Sequence, residues 1–315
     1  MVKNNPLITD GDQLPAASSI RKLDVAAYVA ASIVPAVLEV LGQRWSLGIV
    51  QALLLDGKSF GQLLRELNIP RSTLAARLKH LQTMGCVLQS PSGYGLSESG
   101  QALLPIASLA MAWDAPAATH ASCAGLIHRC SQQLSPVLVC AHCERPIRAS
   151  DLKLGAPGER PRLIDFPKPL RRSRAGFSAQ GPLRATDILG DRWTALIVAL
   201  VFYGVQRYSD LEHHLAIAPN ILADRLLRLC AGDVLLHQGT RYRFSERGQQ
   251  LFPLIIALMN WGDRWLRQAG QTPAPMLHLP CGHMLQPALR CGACGDTADQ
   301  PSLQAVSAAQ ANQGA

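Results

Sequence analysis

Six of the nine cysteines in this 315-residue chain fall into two groups with the same internal spacing. In each group a single cysteine precedes a Cys-x-x-Cys pair by ten residues: Cys130 with Cys140 and Cys143, and Cys281 with Cys291 and Cys294. Three thiolates and one histidine are a common donor set for tetrahedral zinc. Because the spacing occurs twice, we interpret the groups as two zinc knuckles, each formed by residues that are close in sequence.

The fourth ligand of each knuckle is predicted to be a histidine. His128 precedes Cys130 by two residues and His278 precedes Cys281 by three, whereas His142 and His283 are the competing candidates. Four protein ligands leave no open coordination position for catalysis, so structural Zn2+ sites are predicted, two per chain. The predicted ligands are His128, Cys130, Cys140 and Cys143 in one knuckle and His278, Cys281, Cys291 and Cys294 in the other.

The alternative for these cysteines is free or redox-active thiols, including a thiol-disulfide enzyme that uses the Cys-x-x-Cys pairs. That alternative does not explain the third cysteine and the histidine, and the pairs lack the strand-helix setting of thioredoxin-like proteins. Cys86, Cys123 and Cys230 lie outside the pattern and are expected to be buried or incidental.

The chain also repeats itself on a larger scale. The segment Leu41-Gly42-Gln43-Arg44-Trp45 returns as Leu189-Gly190-Asp191-Arg192-Trp193, 148 residues later. The same offset, without a gap, matches Leu78 with Leu226 and Trp113 with Trp261. Two copies with so long a period indicate a tandem pair of domains rather than a solenoid.

Each copy predicts the same order of elements. In the first copy, apolar spacing and capping residues predict four helices: around 36–55, over Phe60 to Leu67 after Ser59, from Ser72 to near Gly85, and from Ser97 to Trp113. Two strands, Cys86 to Gln89 and Gly93 to Leu96, are predicted to form a hairpin before the last helix. In the second copy the corresponding helices are 184–203, 209–215, Asn220 to about Ala231 and 246–266, with a hairpin over 234–244. This order is typical of a winged helix-turn-helix.

The predicted fold is therefore mainly α with small β-hairpins. It has two tandem winged helix-turn-helix domains, each followed by a short zinc-ribbon-like segment. The expected divisions are an N-terminal arm (1–24), domain 1 (25–120), knuckle 1 (121–150), a linker (151–180), domain 2 (181–270), knuckle 2 (271–296) and a disordered tail (297–315).

Several strings in both copies resemble the HxlR-type winged-helix transcriptional regulators of bacteria, in a tandem two-domain form. They are LEVLGQRWSLGIV, LAARLKHLQTMG and YGLSESGQALLP in the first copy, and ILGDRWTALIV, LADRLLRL and YRFSERGQQLFP in the second. Some longer members of that family end in a similar histidine-plus-cysteine knuckle. Many members carry a sensing cysteine before the first of these motifs, whereas this chain has Val34-Pro35 and Gly181-Pro182 there.

The resemblance also bears on assembly, because members of the family usually carry one domain and dimerise. Two domains in one polypeptide imply a covalent pseudo-dimer that replaces, or supplements, such a dimer. A homodimer through the terminal helices therefore stays open. Trp113, Trp261 and Trp265 either cover an interface between those helices or belong to an ordinary core.

Charge and position predict the residues that contact double-stranded DNA. Lys and Arg number 30 against 22 Asp and Glu, and the net charge of +8 favours a polyanionic partner. The predicted contacts are Arg71, Ser72, Thr73, Arg77, Lys79 and His80 in the first copy, and Asn220, Ile221, Arg225, Arg228, Arg241 and Arg243 in the second. For Arg77 a phosphate contact and an ion pair with an acidic neighbour are equally open.

The two copies are expected to contact DNA unequally. Asp224 would repel phosphate, and Leu227 gains little in a groove unless it meets thymine methyl groups. Arg241 and Arg243, however, lie in the second hairpin at positions that are glycine in the first. The first copy is therefore basic on its third helix and the second copy on its hairpin.

The leading functional prediction is a sequence-specific transcriptional regulator. The alternative is a protein-interaction or architectural module in which one winged helix has lost DNA binding. No enzyme is predicted, since no phosphate loop, nucleophile elbow or paired-carboxylate pattern stands out. The longest apolar run, Val25 to Leu38, contains Pro35 and is shorter than the ~20 residues that span a bilayer, so a cytoplasmic location is expected.

Overall fold

A computed structural model describes residues 25–42, 45–115, 125–162 and 183–305. The first half contains the helices α1 (Val25–Ala31), α2 (Val34–Leu41), α3 (Ser46–Ala52), α4 (Phe60–Leu67), α5 (Arg71–Thr83), α6 (Glu98–Gln101) and α7 (Leu104–Asp114). Strands β1 (Val87–Ser90) and β2 (Gly93–Leu96) form a hairpin between α5 and α6, and β3 (Leu126–His128), β4 (Pro136–Cys140) and β5 (Leu152–Leu154) follow α7.

The second half repeats this order. Its helices are α8 (Ala185–Gly190), α9 (Arg192–Phe202), α10 (Tyr208–Leu215), α11 (Pro219–Ala231), α12 (Glu246–Gln249) and α13 (Phe252–Trp265). Its strands are β6 (Leu235–Gln238) and β7 (Arg241–Phe244), which form the second hairpin, and then β8 (Met276–His278), β9 (His283–Met284), β10 (Pro287–Cys291) and β11 (Leu303–Ala305). The mixture of helices with small antiparallel sheets agrees with the prediction.

Capping residues and prolines predict where the helices in the middle of each half begin. Ser59 forms a capping box with Gln62 and starts α4 at Phe60, as predicted. The third helices begin slightly earlier than expected, at Arg71 after Pro70 and at Pro219. Proline has a fixed φ and needs no N–H in the first turn, so it fits a helix start.

The long helices predicted at the two ends of each half are wrong, because each is broken in two. Asp191 follows the last residue of α8 and caps α9. Its side chain accepts a hydrogen bond from the backbone N–H of Thr194 in the first turn of α9. Pro105 and Pro253 lie in the first turns of α7 and α13. Since proline is tolerated there but not in a helix interior, a new helix begins just before each of them.

The two helical halves pack against each other in one continuous hydrophobic core. Helix α13 contacts α2 and α7, and α8 contacts α7 and α2. The indole N–H of Trp113 donates to the Arg247 carbonyl at 3.0 Å, and that of Trp261 donates to the Ser99 carbonyl at 2.9 Å. These two bonds are related by the 148-residue offset, so the halves meet around an approximate two-fold axis.

The segments after the helical halves exchange strands across the same approximate axis. Strand β4 pairs antiparallel with β10, with Leu138 opposite Leu289. Strand β3 pairs with β11, and β5 pairs with β8, which also pairs with β9. Apart from the β8–β9 hairpin, every named strand pair in this region joins one half to the other within the described residues.

These pairings correct the predicted linker and tail. The first described residues of the linker form β5, and the first part of the tail, 297–305, contains a 3-10 turn and β11. Leu303 is buried, and both strands bond to the opposite half, so no local hairpin pattern marks them in the sequence. The arm 1–24, residues 163–180, residues 306–315 and Cys123 lie outside the described residues.

No helix in the described ranges is long and apolar enough to cross a bilayer.

Candidate metal centres and nucleic-acid interface

The eight predicted metal ligands form two clusters, but the local grouping is wrong. One cluster combines His128 and Cys130 with Cys291 and Cys294, and the other combines Cys140 and Cys143 with His278 and Cys281. Within each cluster the candidate ligand atoms all lie within 4.8 Å of one another. Each cluster therefore takes its histidine and one cysteine from one half of the chain and its Cys-x-x-Cys pair from the other.

The exchange of strands causes this crossed grouping. Cys140 ends β4 and Cys291 ends β10, and these strands run antiparallel, so the two Cys-x-x-Cys turns lie at opposite ends of one small sheet. His128 ends β3, which pairs with β11, the strand that follows the Cys291 turn after a 3-10 turn. Each turn consequently faces the histidine of the other half.

Distances in both clusters fit a tetrahedral metal ion. A zinc–sulfur bond of about 2.3 Å implies sulfur atoms about 3.8 Å apart in a regular tetrahedron, and the Sγ atoms of Cys140 and Cys281 are 3.9 Å apart. That separation is much longer than a disulfide bond. His278 Nδ1 lies 3.3 Å from Cys281 Sγ and 3.4 Å from Cys143 Sγ. The donor set could hold Zn2+ in both places.

The histidine of the first cluster is oriented for metal binding. Its Nδ1 lies 3.3 Å from Cys130 Sγ and 3.4 Å from Cys294 Sγ, while its Nε2–H donates to the Thr297 carbonyl at 3.1 Å. A donor bond from one ring nitrogen leaves the lone pair of the other free for a metal. The His128 contact, together with the backbone of Gln132, lowers the pKa of Cys130 to about 7, which favours the thiolate that a metal requires.

The competing histidines lie outside both clusters. His142 and His283 are exposed, and their rings stack with centroids 4.4 Å apart. His128 and His278, in contrast, are almost completely buried. The geometry thus favours the histidine that precedes the single cysteine in each half.

Helix α5 presents only part of its predicted DNA-binding set to solvent. Arg71, Ser72 and Lys79 are exposed, and Thr73 is half-buried. The guanidinium of Arg71 lies over the Phe60 ring, 5.2 Å from its centroid. The outer face of this helix therefore combines a hydroxyl group with two cations.

His80 and Arg77 face inward, although both are predicted to contact DNA. His80 is half-buried, and its Nε2–H donates to the Glu39 carbonyl at 2.9 Å. Burial lowers its pKa, so the ring stays neutral near pH 7 and does not offer a cation to phosphate. Arg77 is also half-buried, and its Nη1 has no hydrogen-bond partner in the part of the chain that the structure describes.

Helix α11 differs from α5 because its arginines are engaged within the protein. Arg225 donates through Nε to Asp191 at 2.7 Å and also pairs with Asp224. Arg228 pairs with Asp224 at 2.9 Å. Burial lowers the pKa of Arg225, but Asp191 and Asp224 raise it above its usual value overall. Arg225 and Arg228, both predicted to contact DNA, are thus paired with carboxylates of their own chain in this structure.

Asp191 is a member of that network that was not among the predicted site residues. The sequence does contain a signal for this role. Asp191 replaces Gln43 of the first copy, whereas the arginine at the position of Arg77 is kept as Arg225, and such a change suggests an ion pair. Of the remaining predicted residues of α11, Asn220 is exposed and Ile221 is half-buried.

The hairpins also differ, and one difference has a steric cause. Arg243 is exposed and Arg241 is half-buried in the second hairpin. Gly93, which corresponds to Arg241, has φ +137°, and a Cβ there would lie 2.5 Å from the Lys58 carbonyl oxygen. The first hairpin therefore has no room for a side chain at this position.

Comparisons with known proteins give one matching family and several similar proteins. The sequence pattern of the HxlR-like helix-turn-helix matches residues 40–121 and 188–270, which together are more than half of the chain. The chain is 34% identical over 130 residues to "Uncharacterized HTH-type transcriptional regulator Rv3095" of Mycobacterium tuberculosis, covering 38% of this chain and 80% of that protein. It is 32% identical over 91 residues to "Uncharacterized HTH-type transcriptional regulator YvaP" of Bacillus subtilis, covering 26% and 84%. The crystal structure of PA1607 matches 42% of this chain and 96% of its own, with 28% identity and a TM-score of 0.34.

Proposed function

The chain belongs to the HxlR-like helix-turn-helix family, and from this premise we propose that it is a transcriptional regulator that binds double-stranded DNA sequence-specifically. It does so through two winged helix-turn-helix units in one chain. The observation that carries the proposal is the exposed outer face of α5, which presents Arg71, Ser72 and Lys79 to solvent. A helix with this place in the fold would enter the major groove of DNA.

The first unit binds mainly through α5. Arg71 and Ser72 lie in the first turn of the helix, where free backbone N–H groups already favour phosphate. Lys79 lies two turns further along the same face and is long enough to reach a base edge or the phosphate backbone. Thr73 lies in the same first turn and completes the first contact surface, whereas Arg77 faces inward and is assigned no DNA contact.

The second unit binds phosphate mainly through its hairpin. Arg241 and Arg243 lie on β7, whereas Arg225 and Arg228 on α11 are held by Asp191 and Asp224. We assign Arg225 and Arg228 the role of positioning α11 rather than contacting phosphate, and Asn220 and Ile221 the role of approaching the bases. The two half-sites of the target are then unequal in sequence.

The Cys/His clusters bind two structural Zn2+ ions per chain, and each ion joins the two halves. The 3.9 Å sulfur separation and the inward Nδ1 atoms of both histidines support this assignment. Four protein ligands close the coordination sphere, so zinc supplies folding energy there and leaves no position for substrate. The crossed ligands would fix the two DNA-binding units at one separation.

The internal packing of the halves takes the place of the usual dimer. The reciprocal bonds of Trp113 and Trp261 support an intramolecular pseudo-dimer, in which one chain presents both units. A cytoplasmic location follows for a protein that acts on bacterial DNA.

The proposal is tested by incubating the full chain with fragmented genomic DNA and sequencing the fragments it retains. We expect a small set of related sites whose affinity falls roughly as the fifth power of salt concentration, if about six phosphates are neutralised. Retention of fragments without any shared sequence, or no retention at low salt, would contradict it. The second outcome would favour a protein-interaction module instead.

A further inference from the structure

The outward face of α11 carries an uncharged stripe. Asn220, Ala223 and Leu227 are all exposed, and their spacing of three and four residues places them on one face of the helix. Leu227 is 70% exposed, the highest value among the large hydrophobic side chains in the described ranges. The stripe therefore ends in an apolar side chain that no other part of the described protein covers.

The charged side chains next to the stripe on α11 are paired with one another, and an exposed arginine lies on the neighbouring hairpin. The Asp224 carboxylate pairs with both Arg225 and Arg228, so it does not offer a free negative charge. On the neighbouring hairpin, Arg243 is exposed. An uncharged centre beside a cationic hairpin complements the major groove, in which the bases are flanked by phosphates.

The equivalent stripe of α5 has different chemistry. Ser72, Ala75 and Lys79 occupy the positions of Asn220, Ala223 and Leu227, and all three are exposed. A lysine in the major groove donates to the O6 and N7 acceptors of guanine, whereas an apolar side chain contacts the methyl group of thymine. An asparagine pairs with adenine through two hydrogen bonds.

We propose that the residue pair Lys79 and Leu227 sets the base preference of the two half-sites. Leu227 contacts thymine methyl groups and Asn220 contacts adenine, so the half-site of the second unit is rich in A·T pairs. Lys79 directs the first unit to a half-site that contains guanine at the corresponding position. This inference rests on the proposed DNA-binding function and adds the bases that each unit selects.

The test replaces thymine by deoxyuridine, which lacks only the 5-methyl group, in one half of a retained DNA site at a time. For the full chain we expect about a fourfold loss of affinity for each contacted methyl group in the A·T-rich half, and no change in the other half. Leu227→Ala should bind thymine and deoxyuridine duplexes equally. Leu236→Ala is the matched control, because Leu236 is an exposed leucine on the hairpin of the same unit, and it should keep the full sensitivity.

The outcomes separate this inference from the function on which it rests. Specific binding that is insensitive to deoxyuridine in both halves overturns the inference and leaves the proposed function intact. The same holds if Leu227→Ala keeps the sensitivity of the unmodified chain. If no specific DNA is bound at all, the proposed function itself fails.

Discussion

The two helical halves agree in what they bury and differ in what they expose. Leu74, Leu78 and Leu81 on α5, and Leu222, Leu226 and Leu229 on α11, are all at most 1% exposed. On the outward side of the same helices, Lys79 corresponds to Leu227 and Ala76 to Asp224. Packing has kept the repeated core uniform, whereas the surface proposed to read DNA has changed.

The proposed covalent pseudo-dimer would explain why this difference is possible. In a symmetric homodimer both subunits carry the same residues, so both readers recognise the same half-site. In this chain each half has its own sequence, while the packing between halves still follows an approximate two-fold axis. The comparison therefore predicts equal effects for matched changes in the core and unequal effects for matched changes on the surface.

The largest expected effect tests the uniform core. Leu78→Ala and Leu226→Ala each remove a side chain that is 1% exposed, at equivalent positions. Each should lower the free energy of unfolding by about 2–5 kcal/mol, because each leaves a cavity in the shared core. Urea denaturation monitored by circular dichroism measures both values. A large loss for one variant and none for the other would break the comparison.

The next effect tests the unequal surfaces. Arg71→Ala should weaken binding to a retained site by about 5- to 150-fold, since an arginine that pairs bidentately with a base contributes about 1–3 kcal/mol. Asp224→Ala should cost less, because it removes a negative charge and frees Arg228 near the DNA. Gel-shift titrations at fixed salt compare the two. Equal losses, or identical footprints over both half-sites, would contradict unequal binding.

The smallest effect sharpens the comparison at the interface. Trp113→Phe and Trp261→Phe each remove one hydrogen bond to a carbonyl of the other half, which should cost about 1 kcal/mol. Trp113→Phe should cost slightly more, because the guanidinium of Arg247 lies 3.8 Å from the Trp113 ring centroid and indole is the strongest cation–π partner. Thermal unfolding of both variants provides the measurement, and a larger loss for Trp261→Phe would contradict this order.

The sequence predicted those features that depend on neighbours along the chain. Ser59 and the periodic leucines of α5 located helices to within a residue or two, and the repeat located the second half. The sequence did not predict that Leu152 and Leu303 begin strands, because the strands with which they pair belong to the opposite half.

The candidate site shows the same limit. Residue type and spacing selected the cysteines and histidines that cluster, yet spacing alone favoured ligands close in sequence. With two copies of the same pattern, local and crossed sites require the same residues. The strand pairings between the halves, β4 with β10 and β3 with β11, distinguish them.

The most direct test of the crossed clusters is therefore to measure the number of zinc ions per chain in two double variants, by mass spectrometry of the purified full chain. Cys130→Ser with Cys291→Ser removes two ligands from one crossed cluster, so about one zinc ion per chain should remain. Cys130→Ser with Cys140→Ser damages both crossed clusters, so close to none should remain. Alkylation of the remaining cysteines checks the same pattern, since thiols that hold zinc react slowly. The reverse result, with zinc retained in the second variant and lost from the first, would contradict the crossed arrangement.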